Sequence, residues 1–136
     1  MEWTYKDLKF TTEMIDSYIG FVYMITNLTN NKKYIGKKQF QFKKVKQVKK
    51  KRKSIKVDSD WESYFGSSDE LKKDVELLGK ENFKREILIL CKSKSILSYW
   101  ESKYIFTLGC LESNDYYNSW VSVRCNKNNL RKEFGI

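Results

Sequence analysis

"GFVYMITNLTNNKKYIGKK", residues 20–38, holds two short β-prone runs on either side of a knot of Asn and Thr. Residues 19–26 are apolar and largely β-branched or aromatic, the residue types that fit a pleated, half-buried surface. Residues 27–31, NLTNN, are turn chemistry, because Asn side chains bond back to their own backbone and tolerate left-handed conformations. KKYIGK then reads as a second short strand, and the pair predicts an antiparallel hairpin. Each arm carries a tyrosine, Tyr23 and Tyr34, and Gly36 closes the second run.

Beyond Gly36 the chain turns almost wholly basic. Residues 37–56 contain eleven Lys or Arg and no Asp or Glu. The formal net charge is +10, yet outside that window the other 16 of 27 basic residues meet all 17 acidic ones. The whole positive excess therefore sits in one segment, whose field attracts polyanions. It has too few aliphatics to be core. Val45, Val48, Ile55 and Val57 leave two forms open, one face of a helix or a partly ordered arm. Nucleic acid is the favoured partner. A membrane surface is disfavoured because no strong amphipathic period accompanies the charge, and an acidic protein partner stays open.

Residues 1–17 place Trp3, Tyr5, Leu8 and Phe10 among polar residues, an N-terminal extension expected to pack on the domain. After the basic segment, Trp61, Tyr64 and Phe65 are candidate core. Ser67 precedes Glu70 by three positions, a capping box, and Leu71, Val75 and Leu78 follow at helical spacing until Gly79 stops the helix. NFKREILILC alternates and then runs apolar, as a strand entering the core does. A second helix is expected from near Ser93 or Ser95 to Gly109. At about 100° per residue it gathers Ile96, Leu97, Trp100, Tyr104, Ile105 and Leu108 into one arc, with Ser102 and Lys103 off it. Glu101 falls inside the arc, where a lone carboxylate is costly unless paired or bound to a cation. NDYYNSWVSVRC adds an Asn/Asp turn, Asn118 and a short apolar run, and the polar tail from Asn126 is expected to fray.

At 136 residues the chain reads as one domain, residues 18–125, with the extension before it, a basic insertion at 37–60 and the tail 126–136. There is no histidine, which removes His-dependent triads, His-metal sites and histidine bases. Cys91, Cys110 and Cys125 are an odd count without disulfide or zinc spacing. No apolar run approaches the ~20 residues a membrane span needs, and the N-terminus lacks a secretory pattern. These features predict an intracellular, cytoplasmic protein with no membrane partner.

Tyr on a first strand, Tyr34-Ile35-Gly36 on a second, Glu101 in the later YWESKYI helix and a downstream YYN together resemble the GIY-YIG endonuclease family. Phe21-Val22-Tyr23 matches the first half-motif only in part, and the second is complete. The resemblance spans roughly residues 20–120. It implies an α+β fold, a small three-stranded antiparallel sheet flanked by helices, with the basic insertion after the second strand. It also implies divalent-metal-dependent hydrolysis of a DNA phosphodiester with Mg²⁺ or Mn²⁺. Glu101 matches the metal-holding carboxylate, Tyr23 and Tyr34 the motif tyrosines, Gly36 the motif glycine and Asn118 the closing asparagine. Lys37 stands where relatives often have Lys. The family's phosphate-contacting arginine has Lys44 at its ungapped position, and Arg52 is preferred because guanidinium grips phosphate bidentately.

The residues support such chemistry on their own terms. One carboxylate holds Mg²⁺ if water and phosphate complete its shell. Without histidine, the water-activating base is a tyrosine, a lysine, a carboxylate or water held by the cation. A phenol with an ordinary pKa of ~10 is a poor base, so the expectation is that metal and nearby cations lower it. Lys38, Lys43, Lys44, Lys46, Lys49, Lys50, Lys51, Arg52 and Lys53 are expected to bind the DNA backbone without reading sequence. The alternative is a catalytically inactive nucleic-acid-binding protein of the same fold. The Lys- and Asn-rich composition also fits an AT-rich, viral genome.

Overall fold

The computed structural model describes residues 2–136, apart from the side chains of Lys46 and Val48. The hairpin of residues 20–38 forms as β3 (Gly20–Asn27) and β4 (Lys33–Gln39), with Tyr23 opposite Gly36 and Ile25 opposite Tyr34. Asn27 makes the turn: its Oδ1 accepts from the Thr29 backbone N–H at 3.0 Å, and its Nδ2 donates to the Tyr117 hydroxyl at 3.0 Å. β7 (Phe83–Cys91) flanks β3 on the other side, antiparallel, with a register shift between Val22 and Tyr23. These three strands are the expected antiparallel unit.

The sheet is wider than expected, however. β1 (Trp3–Tyr5) pairs parallel to β7, and β2 (Leu8–Lys9) adds to β1, giving five strands in the order β2-β1-β7-β3-β4. The N-terminal segment is drawn in by Trp3. Its ring packs edge-on against Phe21 and Tyr23, and its indole N–H donates to the Trp61 carbonyl at 2.7 Å. Such aromatic contacts add roughly 0.5–1.5 kcal/mol each beyond buried area.

The basic segment is neither helix nor loose arm. β5 (Gln41–Val48) and β6 (Lys51–Asp58) form a separate two-stranded antiparallel ribbon. Its turn places Lys49 and Lys50 at φ 48° and 63°, the paired left-handed conformation of a type I′ hairpin, which Asn-Gly ordinarily supplies. Phe40, buried against Phe10, Phe21 and Trp61, anchors the root where β4 passes into β5.

Two helices cover the sheet. α1 (Asp69–Leu78) buries Leu71 and Val75 on the face that holds Phe21, Tyr23, Ile25 and Trp61. Its N-cap is Ser68, not Ser67: the Ser68 hydroxyl accepts from the Leu71 N–H at 3.3 Å. α2 (Lys94–Thr107), capped by Ser93, covers the other face with Ile96, Leu97 and Ile105 against Val22, Ile35 and Cys91. Two positions depart from the expected arc. Leu108 follows the last helical residue and is exposed, and Ser102 is buried. The tail forms a helix. Asn126 caps α3 (Lys127–Phe134), whose Phe134 packs on Tyr99 and Trp100 of α2. Among the described residues no helix is long and apolar enough to cross a membrane.

Candidate active site

Alternation along β4 sends Tyr34, Gly36 and Lys38 to the α1 face and Ile35 and Lys37 to the α2 face. β4 is the outer strand, so side chains from both faces meet around its edge. There a cleft of about 660 Å³ is lined by Tyr34, Lys37, Ser67, Glu101, Asn118 and Trp120, among others. The tryptophan is 74% exposed.

Tyr34 Oη and Ser67 Oγ share a hydrogen bond at 2.8 Å. Because Ser68 caps α1, Ser67 is released for this contact. Tyr23 is fully buried and does not line the cleft. Its ring lies over Gly36, where a Cβ would come within 2.3 Å of the Tyr23 hydroxyl. Tyr34 and Tyr64 flank it at centroid distances of 6.2 and 6.0 Å. Burial pushes the Tyr23 phenol well above its ordinary pKa, and Tyr64, Tyr34 and Glu101 push the same way. Tyr34 is raised too, by burial first, with Ser67 pulling it back and Tyr64 and Glu101 adding to the rise. In the metal-free chain the nearby carboxylate and the buried setting both favour the neutral phenol, whereas the lowering expected from the sequence relies on a metal as well as on nearby cations.

Glu101 is half-buried on α2, and burial raises its pKa, partly offset by Lys37. No cation among the described residues lies within ion-pair distance of it. Lys37 Nζ donates instead to Ser98 Oγ at 2.8 Å. Among the described residues no three acidic, Cys or His side chains cluster as a protein-only metal cage. Asp69, Glu70 and Glu101 all line the cleft, and Glu70 is paired with Lys32 at 2.7 Å; an open polar cleft of this kind suits Mg²⁺, which keeps several waters and takes one or two carboxylates plus substrate phosphate. The donor set therefore fits that ion, and Glu101, half-buried without an ion-pair partner among the described residues, is the carboxylate that would hold it.

Asn118 lines the cleft and bonds to the edge strand. Its Oδ1 accepts from the Ile35 N–H at 3.0 Å, and its Nδ2 donates to the Ile35 carbonyl at 2.8 Å. Two residues earlier along β4, Lys33 makes the same outward pair with Asp115 and Tyr117 through backbone. The side chain thus prolongs a strand-like pairing and pins the edge next to Tyr34 and Lys37. Asn118→Ala is expected to lose about 2 kcal/mol of stability, two hydrogen bonds at ~1 kcal/mol each. Urea unfolding checks this as a lower midpoint with an unchanged m-value.

Several expected site residues lie elsewhere. Lys38 pairs with Asp60 at 2.7 Å and lies 4.0 Å from the Tyr64 ring centroid. Arg52 sits opposite Gln47 near the ribbon tip. Six residue steps of extended chain separate it from Asp58 at the root, roughly 20 Å at ~3.3 Å per residue, and it does not line the cleft. The extended ribbon thus carries Arg52, expected to contact the phosphate, away from Tyr34 and Glu101. Lys43, Lys44, Lys49, Lys50, Lys51 and Lys53 are exposed on the same ribbon, and the Lys46 side chain lies outside the described residues. Sequence reading missed Ser67, Ser98 and Arg85. The buried Arg85 guanidinium donates to the Glu62 and Tyr64 carbonyls at 3.0 and 2.9 Å, fixing the segment that brings Tyr64 onto Tyr23. The available signal was alternation along FKREI, which puts Arg85 on the same face as the apolar Phe83 and Ile87.

The family profile described as "Putative endonuclease segE, GIY-YIG domain" matches residues 3–121. A protein of Enterobacteria phage T4 with the same endonuclease description is 33% identical over 98 residues, which cover 72% of this chain and 39% of the phage protein. The chain thus spans about two-fifths of the length of that curated relative. No solved structure matches. The profile runs from Trp3 past Asn118 and takes in both tyrosine strands, the glutamate helix and the segment that pins them, so this chain belongs to the GIY-YIG endonuclease family.

Proposed function

We propose that the chain is a divalent-metal-dependent DNA endonuclease whose cleft hydrolyses a phosphodiester, with the basic ribbon holding the DNA backbone. The observation that carries this reading is the convergence of Tyr34, Lys37, Glu101 and Asn118 on one cleft at the edge of β4. Glu101 would hold Mg²⁺ or Mn²⁺, which supplies Lewis-acid stabilisation and a template for the phosphate. Lys37 offers its ammonium to a non-bridging phosphate oxygen. Tyr34 is the phenol that faces the cleft; once ionised to the phenolate, its Oη would take a proton from the attacking water as the new O–P bond forms and the bond to the leaving oxygen breaks, that oxygen taking its proton from solvent. Glu101's negative charge is one of the causes that keep Tyr34 protonated, so neutralising that carboxylate eases ionisation of the phenol. Tyr23, sealed in the core, acts as the platform that sets the depth of Gly36 and the ring of Tyr34.

A binding-only protein of the same fold is the second reading, favoured by the lack of an arginine among the cleft's lining residues. Supercoiled plasmid incubated with the protein and Mg²⁺ separates the two. Nicking that EDTA stops, and that Tyr34→Phe slows by about 100-fold, the scale of one general acid–base group, is the expected result. Intact binding without cleavage in Mg²⁺ or Mn²⁺ leaves only the binder.

A further inference from the structure

We propose that the β5–β6 ribbon reads the major groove of duplex DNA, with Gln47 and Arg52 contacting base edges. This rests on the proposed nuclease function, to which it adds a reader. The two strands pair only with each other. At ~4.8 Å between strands a ribbon with its side chains spans roughly 10 Å, and the ~12 Å major groove admits such a ribbon. Eight residues per strand give a reach of about 26 Å.

The register sorts the ribbon's residues by face. On one face Lys43 lies opposite Lys56, Val45 opposite Ser54 and Gln47 opposite Arg52. Like charges directly opposite each other destabilise a hairpin, and an isolated hairpin is marginal to begin with. That arrangement does not serve the fold, but a polyanion would relieve it. Acidic residues are confined to the root, where Asp58 accepts from Gln41 at 2.7 Å and Asp60 pairs with Lys38. Toward the tip the positive charge is unopposed.

Beside those charges stand groups that discriminate bases. Gln pairs bidentately with adenine N6 and N7, Arg pairs with guanine O6 and N7, and an exposed aliphatic side chain meets the thymine methyl. Gln47 and Arg52 face each other near the turn, and Val45, 64% exposed, sits one step nearer the root on the same face. Lys49 and Lys50 in the turn and Lys51 and Lys53 on the opposite face are placed for phosphates. An acidic protein would satisfy the lysines but leave this trio without a purpose. Duplex RNA has a major groove too deep and narrow for side chains to read. The ribbon leaves β4 through buried Phe40, so its placement on DNA is tied to the strand that carries Tyr34 and Lys37.

The test is selection from a random duplex DNA library by the full chain carrying Glu101→Gln, in EDTA. A short motif is expected to enrich. Arg52→Lys keeps the charge but not the fork, and is expected to cut the ratio of selected to random affinity about tenfold, with the lost preference confined to one base pair. Gln47→Ala is expected to erase preference at a neighbouring pair. No enrichment, a motif indifferent to both substitutions, or equal binding of the same sequence as duplex RNA overturns the reader. Plasmid nicking by the wild-type chain without enrichment rejects the reader alone. Enrichment without nicking supports the reader and rejects the nuclease.

Discussion

Glu101→Gln is expected to reduce Mg²⁺-dependent plasmid nicking by about 1,000-fold, the rate equivalent of the several kcal/mol a bound cation supplies. The same substitution is expected to raise the melting temperature of the metal-free protein at neutral pH. Both follow from one fact, a half-buried carboxylate with no ion-pair partner among the described residues. Burial raises the Glu101 pKa in the folded chain, and Lys37 only partly opposes it. The folded state therefore keeps that proton to higher pH than the unfolded chain does. The resulting contribution to stability is whole below the ordinary carboxylate range and is lost as pH rises through the folded value. At pH 7 the metal-free wild type bears the cost of a poorly solvated anion, and the glutamine does not. The gap in melting temperature should close as the pH falls, and Mg²⁺ should stabilise the wild type but not the variant. Calorimetry at several pH values, with and without Mg²⁺, reads all of this. A variant that melts lower than the metal-free wild type at pH 7, or one that still nicks, would show that Glu101 is held by something other than a cation.

Much of the fold could be read from local chemistry. The Asn-rich turn, the serine caps and the glycine stop fix β3, β4, α1 and α2 to within a residue or two, because each signal acts on its own backbone. What escaped depends on distant partners or on broken local rules. β1 is too short to announce itself, and it is a strand only because Trp3 finds Trp61, Phe21 and Tyr23. The ribbon's turn uses two lysines at positive φ where Asn-Gly would have marked a hairpin. The tail from Asn126 reads as polar and basic, but Leu130 and Phe134 pack on an apolar patch that no sequence window contains. At the site, Tyr34, Lys37, Glu101 and Asn118 were named in advance and line one cleft. Their supports, Ser67 and Ser98, were not, since a serine's partner is set by packing rather than by its neighbours in sequence. The capping-box reading failed by one residue, and that residue is the one bonded to Tyr34.

Gly36→Ala should be strongly damaging for the addition of a single methyl. The glycine is needed for space, since its φ lies outside the left-handed region. An added Cβ would meet Tyr23 Oη at 2.3 Å, Tyr23 Cζ at 2.5 Å and Tyr34 Cε2 at 3.0 Å. Tyr23 has no room to withdraw, because Trp3, Phe21 and Tyr64 surround its ring at 5.3 to 6.0 Å between centroids. Overpacking of this kind costs about 2 kcal/mol, or roughly 6 °C in Tm for a chain of this size. The strain should also move the Tyr34 ring relative to Ser67, and a displacement near 1 Å in a reacting group is worth on the order of 100-fold in rate. A double-mutant cycle isolates the cause. In a Tyr23→Leu background the ring is gone, so adding the methyl should cost little, giving a coupling of at least ~1 kcal/mol between the two positions. If Gly36→Ala is as costly beside leucine as beside tyrosine, the methyl clashes with something other than the buried phenol, and Tyr23 loses its role as the platform beneath Tyr34.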